Sequence, residues 1–392
     1  MSRNQGLGLR GRTRTGWCGY KPTRGTIIVE GAGNGRPYPP GMPTTHPTEF
    51  PPSLERPIND RWLRAVCIDL LGRPPVASER EAWLGRPLGS VLDQLWATDS
   101  TWKHWLDEQL YFFMLIDQFR PVGTSLDELP ERLVKGSMTT GEALHRIALS
   151  TSFELRNPGA DTFVTVVMEQ FCGIEVQSSK RELEIGKAAY DGRTGVFLGS
   201  RAQSQSDVVE VAAGHKDAAR FFVGREYERL TRTPMPKRDR ARAGKRLHRE
   251  PRAFPDLVKE WMGSEAYAER VARGAPMSNR TWVRAVYVDL GAPPPSDGTT
   301  EALRSALDGL GDPAPLRSTI ARMLLDADGT RPPRGPELKD AGAWVADVFQ
   351  RLLGRAPSAD EASAFTRVAA ESGDGPALVL YTLLSSPEYE SS

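Results

Sequence analysis

The chain has few cysteines and no uninterrupted apolar run. Cys18, Cys67 and Cys172 are spread over 392 residues, which does not suggest the disulfide framework of a small secreted domain. The most apolar stretch, residues 102–119, contains five ionisable side chains, so it predicts a buried helix and no membrane span. The N-terminal arginines lack the apolar segment of a secretory signal. We therefore expect a cytoplasmic protein.

Familiar catalytic and cofactor motifs are missing as well. The sequence has no Walker lysine motif, no Gly-x-Ser-x-Gly elbow, no His-Glu-x-x-His pair and no Cys-x-x-Cys-His stretch for haem attachment. A glycine-rich segment at 31–35 has the wrong spacing for a dinucleotide site, and prolines follow where a helix should begin. We expect no catalytic residue and no bound cofactor.

The five histidines are scattered. His104 and Glu108 lie one helical turn apart and could hold a metal ion, but no second ligand pair is present, so a surface ion pair or a core histidine is the better interpretation. His215 is near Ser204 and Ser206 in sequence, but adjacency says nothing about the geometry of a hydrolase triad. We expect no metal site.

Composition and charge favour a globular protein with two basic segments. Hydrophobic residues make up 39% of the chain and charged residues 26%, and the length allows two or three domains. The net charge is +1, yet residues 1–36 carry seven Lys/Arg against one Glu, and residues 232–252 carry nine against two acidic residues. The remainder is net acidic, which favours self-association through charge or an anionic partner. Ordinary solvation of exposed segments is the alternative.

The second basic segment is the best candidate for an anionic partner. Phosphate contacts need only clustered Lys and Arg, whereas base readout needs more than this run offers. A solvated basic loop at an inter-helix corner is the alternative. The candidate anion-binding residues are Lys237, Arg238, Arg240, Arg242, Lys245, Arg246 and Arg249.

A phrase of roughly fifty residues recurs about four times. In its clearest copies a tryptophan is followed nine positions later by a leucine and then by a Gly-Arg-x-Pro cluster, where glycine and proline end a helix. Two weaker copies keep the step from aromatic residue to leucine, one of them shortened by a residue. The four pairs are Trp62 and Leu71, Phe221 and Leu230, Trp282 and Leu290, and Trp344 and Leu353.

The end of the phrase recurs too. Two apolar landmarks stand six residues apart in three copies, with a Ser or Asp midway, and Ser-x-x-Glu spacings at 78–81 and 358–361 suggest capping boxes. We interpret the aromatic residues as core packing residues. The pattern predicts an all-α protein of four related helical-pair modules, with a helical insert and an extended N-terminal arm. The landmark pairs are Trp96 and Trp102, Trp261 and Tyr267, and Leu383 and Tyr389.

These copies define the predicted domains. We expect the arm at 1–57, a first repeat with a long aromatic helix at 58–120, the insert at 121–216, and repeats at 217–273, 278–328 and 341–391. Within the insert we predict a helix capped near Thr139 and others at 162–171, 180–190 and 207–213.

The arm at 1–57 is rich in Gly, Pro, Arg and Thr and cannot build a core alone. Apolar side chains without a periodic face are suited to lying across another subunit, where residues 26–29 could add a strand. A tail without a partner is the alternative. The candidate partner-binding residues are Tyr20, Ile27, Ile28, Val29, Tyr38 and Phe50.

Two segments resemble known helical domains. The stretches 61–75 and 102–107 are similar to uncharacterised helical domains of planctomycete and myxobacterial proteins, many of which are joined to cytochrome c modules and exported. The fourth repeat, with Leu353-Gly354-Arg355 and Tyr389, is similar to helical repeats related to phycobilisome linkers. The resemblance implies a place in a larger assembly and identifies no catalytic residue.

From these patterns we expect a scaffold or linker-type protein that binds other proteins, itself or another subunit, without catalysing a reaction. An accessory subunit of a redox or hydrolytic enzyme complex is one alternative. A nucleic-acid binder that uses residues 232–252 is the other.

Overall fold

A computed structural model describes residues 53–114, 125–327, 330, 332–371 and 373–391. Helices dominate, which confirms the predicted all-α class. None of the helices in these ranges is long and apolar enough to cross a membrane. The division into four related modules stays a prediction.

The first part of the described chain contains ten helices and a short hairpin. Thr139 caps α6 in a capping box with Glu142, as predicted, whereas the hairpin was not foreseen. A π-helical turn, Val167–Phe171, continues α8. The elements are α1 (Asp60–Leu71), α2 (Ala77–Trp83), α3 (Leu88–Trp96), α4 (Asp99–Met114), α5 (Leu129–Val134), α6 (Thr140–Ala148), α7 (Thr151–Arg156), α8 (Gly159–Val166), α9 (Lys180–Tyr190), β1 (Gly195–Phe197), β2 (Ser200–Ala202) and α10 (Gln205–Gly214). The two strands are antiparallel, with Gly195 opposite Ala202.

Eleven helices follow in the rest of the described chain. They are α11 (Lys216–Thr231), α12 (Lys237–Arg249), α13 (Phe254–Met262), α14 (Glu265–Arg273), α15 (Asn279–Asp289), α16 (Asp297–Asp308), α17 (Ala314–Leu325), α18 (Ala341–Leu353), α19 (Ala359–Glu371), α20 (Gly375–Leu384) and α21 (Pro387–Glu390).

Buried apolar side chains form two clusters. The first core joins α1–α4, the predicted insert and α11–α14, so the insert shares a core with the segments on either side. The second core is formed by α15–α21, and Ile68 of α1 is its one member from the first part of the chain. Trp62 and Trp282 are buried and Trp344 packs half-buried on the second core, which agrees with a packing role. Helix α1 therefore contributes to both cores.

The same helix corner occurs at four places. A residue in the left-handed conformation, Gly72, Arg232, Gly291 or Gly354, follows each of α1, α11, α15 and α18, and the next helix begins five or six residues later. Glycine is needed at Gly354 for a second reason, because a Cβ there would lie 2.7 Å from Cα of Arg61 on α1.

Two of these corners are also held by the same ion pair. Arg73 binds Glu79 through two hydrogen bonds of 2.7 and 2.8 Å, and Arg355 binds Glu361 through two of 2.7 and 2.9 Å. Each glutamate also accepts the amide three residues before it, from Val76 or Ser358. The predicted box at 358–361 is confirmed, but the one at 78–81 is wrong because Val76 and Glu79 occupy its place.

Residues 53–57 pack on the helical body, although the predicted arm included them. The amide of Gly89 donates to the Leu54 carbonyl at 2.8 Å, and that of Leu88 donates to the Arg56 carbonyl at 2.9 Å. Leu54 also packs on the first core. These contacts place the start of the body before residue 57.

Candidate functional site

The basic run at 237–249 is a helix, so its interpretation as a loop is wrong. Helix α12 lies against α11 through its small and apolar residues Ala243, Gly244 and Leu247, which are buried. A Cβ at Gly244 would lie 2.8 Å from Cα of Arg220, so glycine is required for this close approach. Arg240 also lies against α11, with its Cδ close to Gly224, whereas the exposed basic side chains on the opposite side of α12 do not face α11.

We call the outward side of α12 the cationic face. Arg238, Arg242, Lys245 and Arg249 are exposed, and their spacing of four, three and four residues places them in one stripe along the helix. Lys237, Arg240 and Arg246 flank this stripe. The structure thus brings all seven candidate anion-binding residues onto one helix.

Most cations of this face have no ion-pair partner among the described residues. Arg242 pairs with Asp239 at 2.9 Å, and Arg246 pairs with Glu260 and Glu250. The other five have no ion pair within the described chain. They are Lys237, Arg238, Arg240, Lys245 and Arg249. Exposed cations that are not neutralised by the protein are available to an anionic partner.

Two buried aspartates, which were not among the predicted site residues, occupy corresponding places in the two cores. The Tyr267 hydroxyl donates to Asp69 at 2.7 Å, and the Tyr389 hydroxyl donates to Asp289 at 2.8 Å. Each aspartate lies seven residues after a buried tryptophan, and each tyrosine three residues after a serine that caps its helix. The spacing from tryptophan to aspartate was the available signal.

Arginines complete both pairs. Arg270 donates to the Asp69 carboxylate at 3.0 Å, whereas Asp289 accepts two bonds of 2.9 and 3.1 Å from Arg64 on α1. Burial raises the pKa of both tyrosines well above its ordinary value, and the negative charge of the neighbouring aspartate is the second cause. The tyrosines therefore stay protonated as donors, which fits a structural role.

His104 is a neutral core residue. Burial, together with the nearby Arg229 and Arg284, lowers its pKa to about 3, and the ring lies against Gly72. Within the described ranges, no three His, Cys, Asp or Glu side chains are grouped as metal ligands. The pairing of His104 with Glu108 thus provides no metal site in this part of the chain.

Ser204 and His215, which are close in sequence but were not predicted to form a hydrolase triad, serve as helix caps. Ser204 accepts the Asp207 amide at 3.1 Å at the start of α10, and His215 Nδ1 accepts the Asp217 amide at 3.3 Å at the start of α11. These bonds give Ser204 and His215 a structural role.

Cys67 and Cys172 are buried free thiols. Burial raises the pKa of Cys172 to about 12 and that of Cys67 further still. Both are therefore protonated and unreactive near neutral pH. Cys18 and the arm candidates Tyr20, Ile27, Ile28, Val29, Tyr38 and Phe50 lie outside the described residues.

The fold and this site define an all-α protein with an exposed cationic helix. No protein-family model, curated protein or solved structure matches the chain. The resemblance to planctomycete, myxobacterial and phycobilisome-linker domains stays a prediction.

Proposed function

We propose that the protein acts by binding and assembly, without catalysing a reaction, and that the cationic face docks on an acidic protein surface. The observation that supports this proposal is the stripe of exposed cations on a closely packed helix. Most of these cations have no ion pair within the part of the chain that the structure describes. The backbone of α12 is already fixed by its packing on α11, so binding orders only the side chains, and the charge of the stripe is available for association.

A second copy of the chain is one candidate acidic partner. Outside the two basic segments its net charge is negative, so a second copy can meet the cationic face with opposite charge. The arm candidates at 1–52 are proposed to add to such an assembly, and their removal should weaken it. Deletion at residue 52 spares the contacts of Leu54.

Sedimentation velocity at increasing salt tests the proposal. The full chain should associate at low ionic strength and dissociate as salt screens exposed charges, over about 20–300 mM. The triple variant Arg238→Glu, Lys245→Glu, Arg249→Glu should stay monomeric. A control with the same charge change elsewhere, Arg132→Glu, Arg193→Glu, Arg201→Glu, should associate like the wild type.

Nucleic-acid binding is the second candidate, because the same stripe could contact successive phosphates. A shift assay with double-stranded DNA and RNA separates the two proposals. Tight, steeply salt-dependent binding without self-association would favour nucleic acid. Equal behaviour of the two triple variants would exclude the cationic face in either role.

A further inference from the structure

A cavity of about 300 Å³ lies where the predicted insert meets α11 and α12. Most of its wall is apolar and includes the rings of Phe113, Phe171 and Phe222. The volume is at the lower end of small-molecule sites, which hold roughly 300–1,000 Å³. A neighbouring cavity of about 600 Å³ shares Gly214 and His248 with it.

A single arginine is placed in this apolar wall. Arg225 lines the cavity and its guanidinium lies 3.9 Å from the centre of the Phe112 ring. Nη2 donates to Gln109 and to Glu226, whereas Nε and Nη1 have no hydrogen-bond partner among the described residues. A guanidinium with free donors in apolar surroundings is suited to an anionic acceptor.

A second polar group in the wall is left unsatisfied. Gln170 stands in the π-helical turn Val167–Phe171 and lines the cavity, and its buried Oε1 has no hydrogen-bond partner in the described part of the chain. Buried polar atoms are nearly always paired, and π-helical turns are frequent at functional sites. A half-turn of this amide would place its NH₂ group, a donor, where the unpaired oxygen now lies, and a ligand carboxylate would accept from it.

We propose that this cavity binds a small carboxylate with an apolar tail, its carboxylate on Arg225 and its tail among Phe113, Phe171 and Phe222. The apolar wall supplies affinity for the tail, and the free donors of Arg225 select a carboxylate over a neutral group. This site does not depend on the docking role of the cationic face.

Calorimetric titration of the full chain with octanoate and octan-1-ol tests the proposal. The two probes share a tail length and differ in charge, so octanoate should bind the wild type at least about tenfold more tightly. Arg225→Met should remove that preference while retaining octan-1-ol binding. Glu226 keeps its bonds from Arg229 and Gln109 in this variant.

Two further variants keep the test decisive if Arg225→Met does not fold. Gln170→Glu adds a negative charge to the wall and should weaken octanoate binding without weakening octan-1-ol binding. Ala219→Leu should fill the cavity and reduce the binding of both probes. Arg193→Met, an exposed arginine outside the cavity, is the control and should bind octanoate like the wild type. Equal affinity of the two probes for the wild type, or octanoate binding unchanged by Gln170→Glu, would overturn the proposal.

Discussion

At the scale of single residues, the strongest constraints are the hydrogen bonds of the two buried aspartates. Asp69 and Asp289 are almost fully enclosed, and an enclosed carboxylate must have donors around it because it loses its hydration. The tyrosines provide neutral donors that position the carboxylates without adding charge.

Tyr389→Phe should therefore lower the free energy of unfolding by about 1–3 kcal/mol, because it leaves the buried Asp289 with one donor fewer. Tyr267→Phe should have a similar effect in the first core. Urea denaturation measures both.

Tyr381→Phe is the matched control for these substitutions. Its hydroxyl bonds to Ser318 at 2.6 Å, but the pair is only partly buried and neither partner is charged. Tyr381→Phe should therefore lower the free energy of unfolding less than Tyr389→Phe or Tyr267→Phe. A Tyr381→Phe variant as destabilised as Tyr389→Phe would show that burial of the aspartate is not the cause.

Local features of this fold were predictable from the sequence, whereas contacts between distant residues were not. The helix ends at Gly354 and Ser358 were predictable because they depend on neighbours within a few residues. The partner of Asp69 was not, because Tyr267 is 198 positions away and no local rule relates them. The cavity around Arg225 was not predictable for the same reason, because residues from helices far apart in the sequence form its wall.

At the scale of helices, helix propensity explains why the basic run forms α12, and packing determines which side of α12 is exposed. The run was expected to be a solvated loop because it stands at an inter-helix corner of the second repeat, but Arg, Lys and Ala are strong helix formers. The stripe of Arg238, Arg242, Lys245 and Arg249, opposite Ala243 and Leu247, was visible in the sequence as helical spacing. The helical conformation of the run was not predicted, and the anion-binding role of its residues stays a prediction.

The corner after α18 gives a pH-dependent prediction. Hydrogen bonds from Arg355 lower the pKa of Glu361 to about 2, below the ordinary value near 4.3. The ionised form is favoured in the folded state, so its contribution to stability is present above about pH 4.3 and is lost as the pH falls towards 2.

Glu361→Gln should cost about 0.5–1 kcal/mol near neutral pH, because the pair is partly exposed. Its difference from the wild type should shrink between about pH 4.5 and 2.5 in urea denaturation. Glu371→Gln, an exposed substitution on the same helix, should have little effect near neutral pH. A Glu361→Gln cost that stays constant with pH would assign the loss to packing.

At the scale of the whole molecule, the two cores are joined by charged residues of α1 and its neighbours. Arg64 lies on α1, and its side chain binds Asp289 on α15 of the second core. Both side chains are at most 3% exposed. Arg80 reaches Asp347, and Asp107 accepts from Arg280. Arg270 and Asp69, by contrast, form the corresponding pair within the first core.

Arg64→Met should therefore destabilise the second core selectively. Removing one partner of a buried ion pair costs about 3–5 kcal/mol, because the other charge is left without compensation, and here the stranded Asp289 belongs to α15. In hydrogen exchange, Arg64→Met should accelerate the buried amides of residues 278–391, relative to the wild type, more than those of residues 58–271. Arg270→Met should show the reverse, because it strands Asp69 in the first core. Equal acceleration in both ranges by Arg64→Met would contradict this prediction. It would show that the two cores unfold together as one cooperative unit.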